Sequence, residues 1–346
     1  MKKIRFFLSL LMLTGILVSC NTKVDLYADY KDIPIVYGLL DATIDTNYVK
    51  IVRAFSGSDD ASVNAEEVAL IADSCNYPGK LDARIFEYVD EFGNNNYVLG
   101  RTIVLDTMTI DHKDPGTFYY PNQKVYWTAE HFNVNGERTK YKYRLQILKG
   151  YDTITSETGM VGGERFRIAT ATAFFMDEEG KSAELKFIPA DNAAVYYMSI
   201  RFNYHEVKNG QDVLKSVSYT FPALNPDNLV LDGGAYVIGY QQILLFNLLR
   251  DAIGSDTIHN TNNPEFERYF DEQPLDIMLA AGGDELYNYI QVNSVSGYSQ
   301  TVPDYTNING GYGVFSSRIN LLRKARISAR AESDLYGKTS WGFVQH

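Results

Sequence analysis

Cysteine is almost missing from this chain, with two in 346 residues, Cys20 and Cys75. Tryptophan is equally scarce at two, and histidine stops at five. A disulfide framework of the kind that staples small secreted domains is therefore excluded. His112, His131, His205, His259 and His346 are scattered without the spacing that gathers ligands around a metal. Positive charge is also short: 32 basic residues stand against 43 acidic ones, a formal balance of −11. A surface of that sign does not seek phosphate, which argues against nucleic acid as a partner. Beyond the first nineteen residues no apolar run approaches the ~20 residues that cross a bilayer. No fixed-period repeat and no low-complexity tract occurs.

Catalytic signatures are approached and missed. Gly180-Lys181-Ser182 ends like a phosphate-binding loop, but that loop needs a glycine five residues before the final glycine, and position 175 is Phe. His205-Glu206 begins like a zinc-protease HExxH, yet Asn209 stands where the second histidine belongs. There is no GxSxG nucleophile elbow. The acidic clusters Asp59-Asp60, Glu66-Glu67 and Asp177 to Glu179 lack the alternating oxygen ligands of a calcium loop and read as solvated loops. Paired carboxylates far apart in sequence, as glycoside hydrolysis uses, stay open at this level. No metal and no cofactor is expected.

What is present begins at the N-terminus. Lys2, Lys3 and Arg5 precede an apolar stretch that ends in Leu17-Val18-Ser19-Cys20. A charged start and a short apolar core describe a secretory signal, not a spanning helix. The ending resembles the bacterial lipobox, in which the cysteine thiol receives a diacylglycerol and the chain is cut just before it. Cys20 is thus the expected lipidation site, with residues 1–19 as signal peptide and 20–32 as a polar tether. Several acyl chains, at about 0.8 kcal/mol per buried methylene, give stable anchoring. Removing the signal leaves 29 basic and 43 acidic groups, about −14, so lipid rather than charge would hold the protein at a membrane. Cys75 is then the one remaining thiol and reads as a small buried hydrophobe.

The mature chain is long enough for two domains. It carries 26 Tyr and 18 Phe with few helical patterns, which favours strands. Strands are expected at 34–40, 48–55, 84–89, 98–105 and 125–132. The clearest is TKYKYRLQILK, where Tyr141, Tyr143, Leu145 and Ile147 fall on one side and Lys140, Lys142, Arg144 and Gln146 on the other. Strands at this spacing with no intervening helix predict a β-sandwich of immunoglobulin-like architecture over 33–158, although the Cys–Trp–Cys core of true immunoglobulin domains is missing. A boundary falls at TGMVGGE (158–164). A second β-rich domain over 159–346 would hold strands at 183–188, 195–204, 213–221 and 230–238, a well-buried helix at 241–253, a short helix at 284–292 and a long strand from Gly313 towards Ser328. Arg318, Arg323, Lys324, Arg326 and Arg330 read as the wet face of that last strand, protecting an edge from pairing.

The segment PDYTNINGGYGVFSSR (303–318) reads physically as a tight turn feeding a strand. It also resembles a signature of Bacteroidetes-type outer-membrane lipoproteins, a broad family of unassigned function, whose members carry YTNI-x-x-G-x-G-x-F-S-S-R near the C-terminus. Tyr305, Thr306, Asn307, Ile308, Gly311, Gly313, Phe315, Ser316, Ser317 and Arg318 match it. The stretches YVKIVRAF, ADSCNYP and YKYRLQI followed by ITSETG are similar to the same family, with a departure at Cys75 and Asn76, where the family has an apolar residue and Tyr. The resemblance implies a lipid-anchored envelope protein with two β-rich domains, accessory to a TonB-dependent transporter and without known catalytic residues. Tyr305, Asn307, Gly311, Gly313 and Phe315 would then determine fold rather than bind a ligand. The expected function is non-enzymatic binding, with a stand-alone glycan- or peptide-binding lipoprotein as the alternative and a hydrolase with dispersed carboxylates behind it. Asn21 to Asp25 (NTKVD) lacks an acidic export cluster, which leaves the periplasmic and outer faces both open.

Overall fold

Period-two burial organises many of the strands. The structure, a computed structural model, describes residues 32–54, 69–111, 114–116, 119–120, 122–253, 266–295 and 305–345. Cys20 and the tether before Asp32 lie outside the described residues. The strands of the first half are β1 (Pro34–Asp41), β2 (Asn47–Arg53), β3 (Asp82–Asp90), β4 (Val98–Val104), β5 (Asp106–Ile110), β6 (Gln123–Thr128), β7 (Lys140–Lys149) and β8 (Asp152–Gly159). Those of the second are β9 (Arg167–Ile168), β10 (Thr172–Ala173), β11 (Ser182–Ile188), β12 (Val195–Lys208), β13 (Gln211–Thr220), β14 (Val230–Asp232), β15 (Ala235–Gln241), β16 (Phe266–Tyr269), β17 (Leu275–Gly282) and β18 (Tyr312–Ile327). Among the described residues, three helices of more than two turns accompany them, α1 (Leu244–Ile253), α2 (Asp284–Val295) and α3 (Ala329–Gly337), besides a single turn at Ala72–Cys75.

The first half is an immunoglobulin-like sandwich. One layer runs β1-β2-β6-β5 and the other β4-β3-β7-β8. The chain crosses between them after β2, β4 and β6, the Greek-key pattern of that fold. Val36, Leu40, Val49, Ile51 and Tyr126 from one layer meet Ala83, Ile85, Tyr143, Leu145, Ile147 and Ile154 from the other. Hydrophobic contact replaces the missing disulfide. A polar knot holds the β7 end: the Tyr143 hydroxyl donates to Glu87 Oε2 at 2.8 Å and accepts from the Asn133 N–H at 2.8 Å. Burial, reinforced by the Glu87 carboxylate, pushes the Tyr143 phenol far above its ordinary pKa. Arg101 in turn pairs with Glu87 at 3.1 Å.

The second half is also layered. Strands β13-β12-β17-β18 cover a four-stranded sheet ordered β14-β15-β11-β9, and α1 and α3 pack at its side. In α1, Leu245, Phe246, Leu249 and Ile253 are buried, while Arg250 reaches out to Asp177. Burying that stripe accounts for the helix better than propensity does, since about ten residues are too few to hold a helix in water. Two expectations are adjusted. The helix begins at Leu244 rather than 241, because Gln241 still pairs with Ser182 in the β11–β15 ladder. The single strand expected at 230–238 is a hairpin, since Gly233 and Gly234 (φ +57° and +82°) reverse the chain between Asp232 and Ala235.

The halves are joined by a ten-stranded sheet. Its main path, β13-β12-β17-β18-β1-β2-β6-β5, places β18 parallel beside β1, with Val36 opposite Gly313. Met160 packs in the first core and Val161 in the second. However, Ile308 and Phe315, far beyond that point, belong to the first core. The expected edge role of the basic residues is therefore corrected. Strand β18 has neighbours on both sides, Arg323 turns inward to the Ile168 carbonyl, and Arg330 lies on α3, paired with Asp334 at 3.0 Å. Among the described residues, no helix is long and apolar enough to cross a membrane.

Candidate functional site

The YTNI signature lies where β18 starts, against β1 and β8. Asn307 acts as a piece of backbone: its Oδ1 accepts from the Phe315 N–H at 2.9 Å and its Nδ2 donates to the Phe315 carbonyl at 2.6 Å. Phe315 fills the first core at 0% exposure. A Cβ on Gly311 would stand 2.5 Å from the Pro34 carbonyl oxygen. One on Gly313 would stand 2.0 Å from that of Val36, at a φ of +110° that only glycine adopts readily. Tyr305 is half-buried, and burial raises its phenol above the ordinary range. All five residues thus serve contacts within the chain.

The serines that follow stitch the two halves together. Ser317 Oγ donates to the Gly159 carbonyl at 2.6 Å and accepts from the Val161 N–H at 2.8 Å. Ser316 Oγ and Thr158 Oγ1 donate to Glu285 Oε2 at 2.8 and 3.0 Å. Glu285 sits in the first turn of α2, where the helix dipole favours a carboxylate.

Beside this stitching runs a polar groove between the halves. Its larger lobe, about 510 Å³, lies among Glu137, Lys140, Glu164, Arg165 and Phe166. The smaller, about 300 Å³, lies among Tyr97, Tyr141, Lys142 and Asn192. Asn135, Lys140 and Asp191 line both. Lys140, at the start of β7, reaches across to Asp191 Oδ2 at 2.9 Å and also donates to the Gly136 carbonyl at 3.2 Å. Asn135 is 4% exposed, and its Oδ1 is fixed by the Tyr141 N–H at 2.9 Å. Its Nδ2 donates to no group among the described residues. Gly162 and Gly163, at φ +138° and +129°, give the larger lobe a floor of bare backbone. Lys142 Nζ lies 4.4 Å from the centre of the Tyr97 ring. Three cations (Lys140, Lys142, Arg165) face three carboxylates (Glu137, Glu164, Asp191), so the groove is rich in donors and acceptors without a dominant sign.

A second cleft, about 330 Å³ and more apolar, lies on the outer face of β1 and β2 among Ile35, Tyr37, Val52, Cys75 and Tyr119. Cys75 is 9% exposed, with Sγ 3.2 Å from the Ala69 carbonyl. The remaining sequence candidates do not converge. His205 stacks on Tyr269 and its Nδ1 lies 2.9 Å from Asp212. Asp177 is paired with Arg250 and Lys338. Gly180 sits in a surface turn before β11. His112, His259, His346, Asp59-Asp60 and Glu66-Glu67 lie outside the described residues. Among the described residues no three His, Cys, Asp or Glu side chains are placed to hold a metal ion. Sequence reading missed the groove: Lys140 read as a strand's wet face and Gly162-Gly163 as part of a domain boundary, while Asn135 and Asp191 carried no signal.

No protein-family model matches the chain, and no curated protein does. A solved structure of the calcium-binding domain CBD12 of CALX1.1 aligns over 85% of this chain and 99% of its own at 8% identity, with a TM-score of 0.14, a likeness that carries no argument.

Proposed function

We propose that this is a lipid-anchored protein of the bacterial cell envelope that works by binding, as an accessory to an outer-membrane TonB-dependent transporter. The observation that carries the reading is the leader ending in Leu-Val-Ser-Cys20, followed within a short tether by β1. The position of β1 supports it. The strand that receives the tether is bonded to β2 on one side and β18 on the other, so a pull on the anchor loads two ladders at once. The resemblance of the 303–318 segment to Bacteroidetes lipoproteins points the same way. Two measurements test the proposal. Acyl labelling and membrane fractionation should find the wild-type chain lipidated and membrane-bound, and Cys20→Ala unlabelled and released. In vivo crosslinking through a C-terminal tag should recover a stoichiometric transporter. Recovery of the protein alone, with nothing above the Cys20→Ala control, would count against the accessory role.

The second reading, a stand-alone glycan- or peptide-binding lipoprotein, is favoured by one observation: the polar groove between the halves.

A further inference from the structure

We propose that the groove between the two halves is a binding site for a neutral oligosaccharide. The inference rests on the reading of this protein as a binder and adds the site and the ligand class. Both lobes fall in the ~300–1,000 Å³ range of small-ligand sites. The first argument is electrostatic. An anion entering the groove would meet Glu137, Glu164 and Asp191, and a cation would meet Lys140, Lys142 and Arg165. A neutral ligand that both donates and accepts hydrogen bonds meets neither penalty. Hydroxyl groups do both, and carboxylates, ammonium groups and side-chain amides are their natural partners.

The second argument is Asn135. A nearly buried amide whose oxygen is committed to Tyr141 N–H has its nitrogen left as a donor at the wall shared by both lobes. That nitrogen is not a buried atom but opens on the groove, so a ligand hydroxyl can accept from it without displacing a partner within the chain. The third is shape and surface. The Gly162-Gly163 floor lets a ligand ring approach the main chain. Tyr97 and Tyr141 bring aromatic surface to the smaller lobe, on which the C–H face of a sugar can pack. Lys140 already reaches across the groove to Asp191, so its ammonium is positioned before a ligand arrives.

The test is titration calorimetry on the full lipidated chain in a detergent without sugar headgroups. The probes are neutral gluco-, manno- and xylo-oligosaccharides, with a uronic-acid oligomer and an uncharged tetrapeptide as comparators. A neutral oligosaccharide should bind saturably, with an affinity unchanged from low to high salt. Tyr97→Ala should weaken it by about 3- to 10-fold, the scale of one lost aromatic contact. Asp191→Asn, which keeps the shape, should also weaken it, and both variants should unfold at the wild-type midpoint. Preference for the acidic oligomer or the peptide, neutral binding indifferent to both variants, or no binding of any neutral probe would overturn the assignment. The accessory role is read separately by crosslinking. A chain that recovers a transporter but binds no neutral oligosaccharide would retire the groove alone, and the converse result would retire the accessory role alone. Shortening of a bound oligosaccharide would keep the ligand class and overturn the non-enzymatic reading.

Discussion

At the scale of single residues, the signature near the C-terminus gives the sharpest expectations. Gly313→Ala places a methyl carbon on the Val36 carbonyl and holds alanine at a φ it avoids. The backbone must move, and the loss should be about 3 kcal/mol or more. Asn307→Ala removes both hydrogen bonds to Phe315 and should cost about 2 kcal/mol, with Asn307→Asp between it and wild type because it keeps the acceptor. Denaturant unfolding of the three variants measures this order directly. The same residues show how far sequence carried. Glycine at 311 and 313 and the Asn-Ile-Asn-Gly-Gly turn were legible as backbone requirements. What they were required for was not, because the colliding carbonyls belong to Pro34 and Val36, at the other end of the chain.

At the scale of elements, strands β12, β17 and β18 are locked on their open face by Asp276. Burial pushes its carboxyl upward, but hydrogen bonds from Arg201 and Asn203 and the Lys324 ammonium outweigh burial and hold it below the ordinary carboxylate range. Glu206 is held low in the same sense, with burial opposed by Lys215 and Arg268. A carboxylate with a lower pKa folded than unfolded stabilises fully above its unfolded value and loses that contribution as pH falls through the folded one. The contribution of these two carboxylates should therefore be flat above about pH 5 and fall on acidification. Asp276→Asn should lower the neutral-pH stability by about 2 kcal/mol and flatten the acid limb, as read by unfolding midpoints across pH. Elements were the most legible scale. The alternation of β7, the apolar run of α1 and the long β18 all follow from side chains within the segment. Their partners do not, because a period-two pattern says that one face is buried and not which strand lies beside it. The groove was illegible for the same reason: Asn135, Lys140, Gly163 and Asp191 become neighbours only when the sheets are stacked.

For the whole molecule, the sharing of β18 between two cores makes their stabilities interdependent. Phe315 belongs to the first core, and Ala325 and Ile327, further along the same strand, to the second. Calorimetry should accordingly show one unfolding transition rather than two, with van't Hoff and calorimetric enthalpies in agreement. Phe315→Ala in the first core and Phe246→Ala in the second, each about 3–5 kcal/mol, should both move that single transition. Two separated peaks would mean that the cores melt independently despite the shared sheet. The parallel pairing of β1 with β18 also has a consequence for the order of events during synthesis. Strand β1 must wait for β18, far later in the chain, so a growing chain cannot complete its first core before then, and loop closure over that distance slows the step. For an exported chain, as proposed above, a fold that stays loose until β18 has been made is one that a translocation channel can still thread.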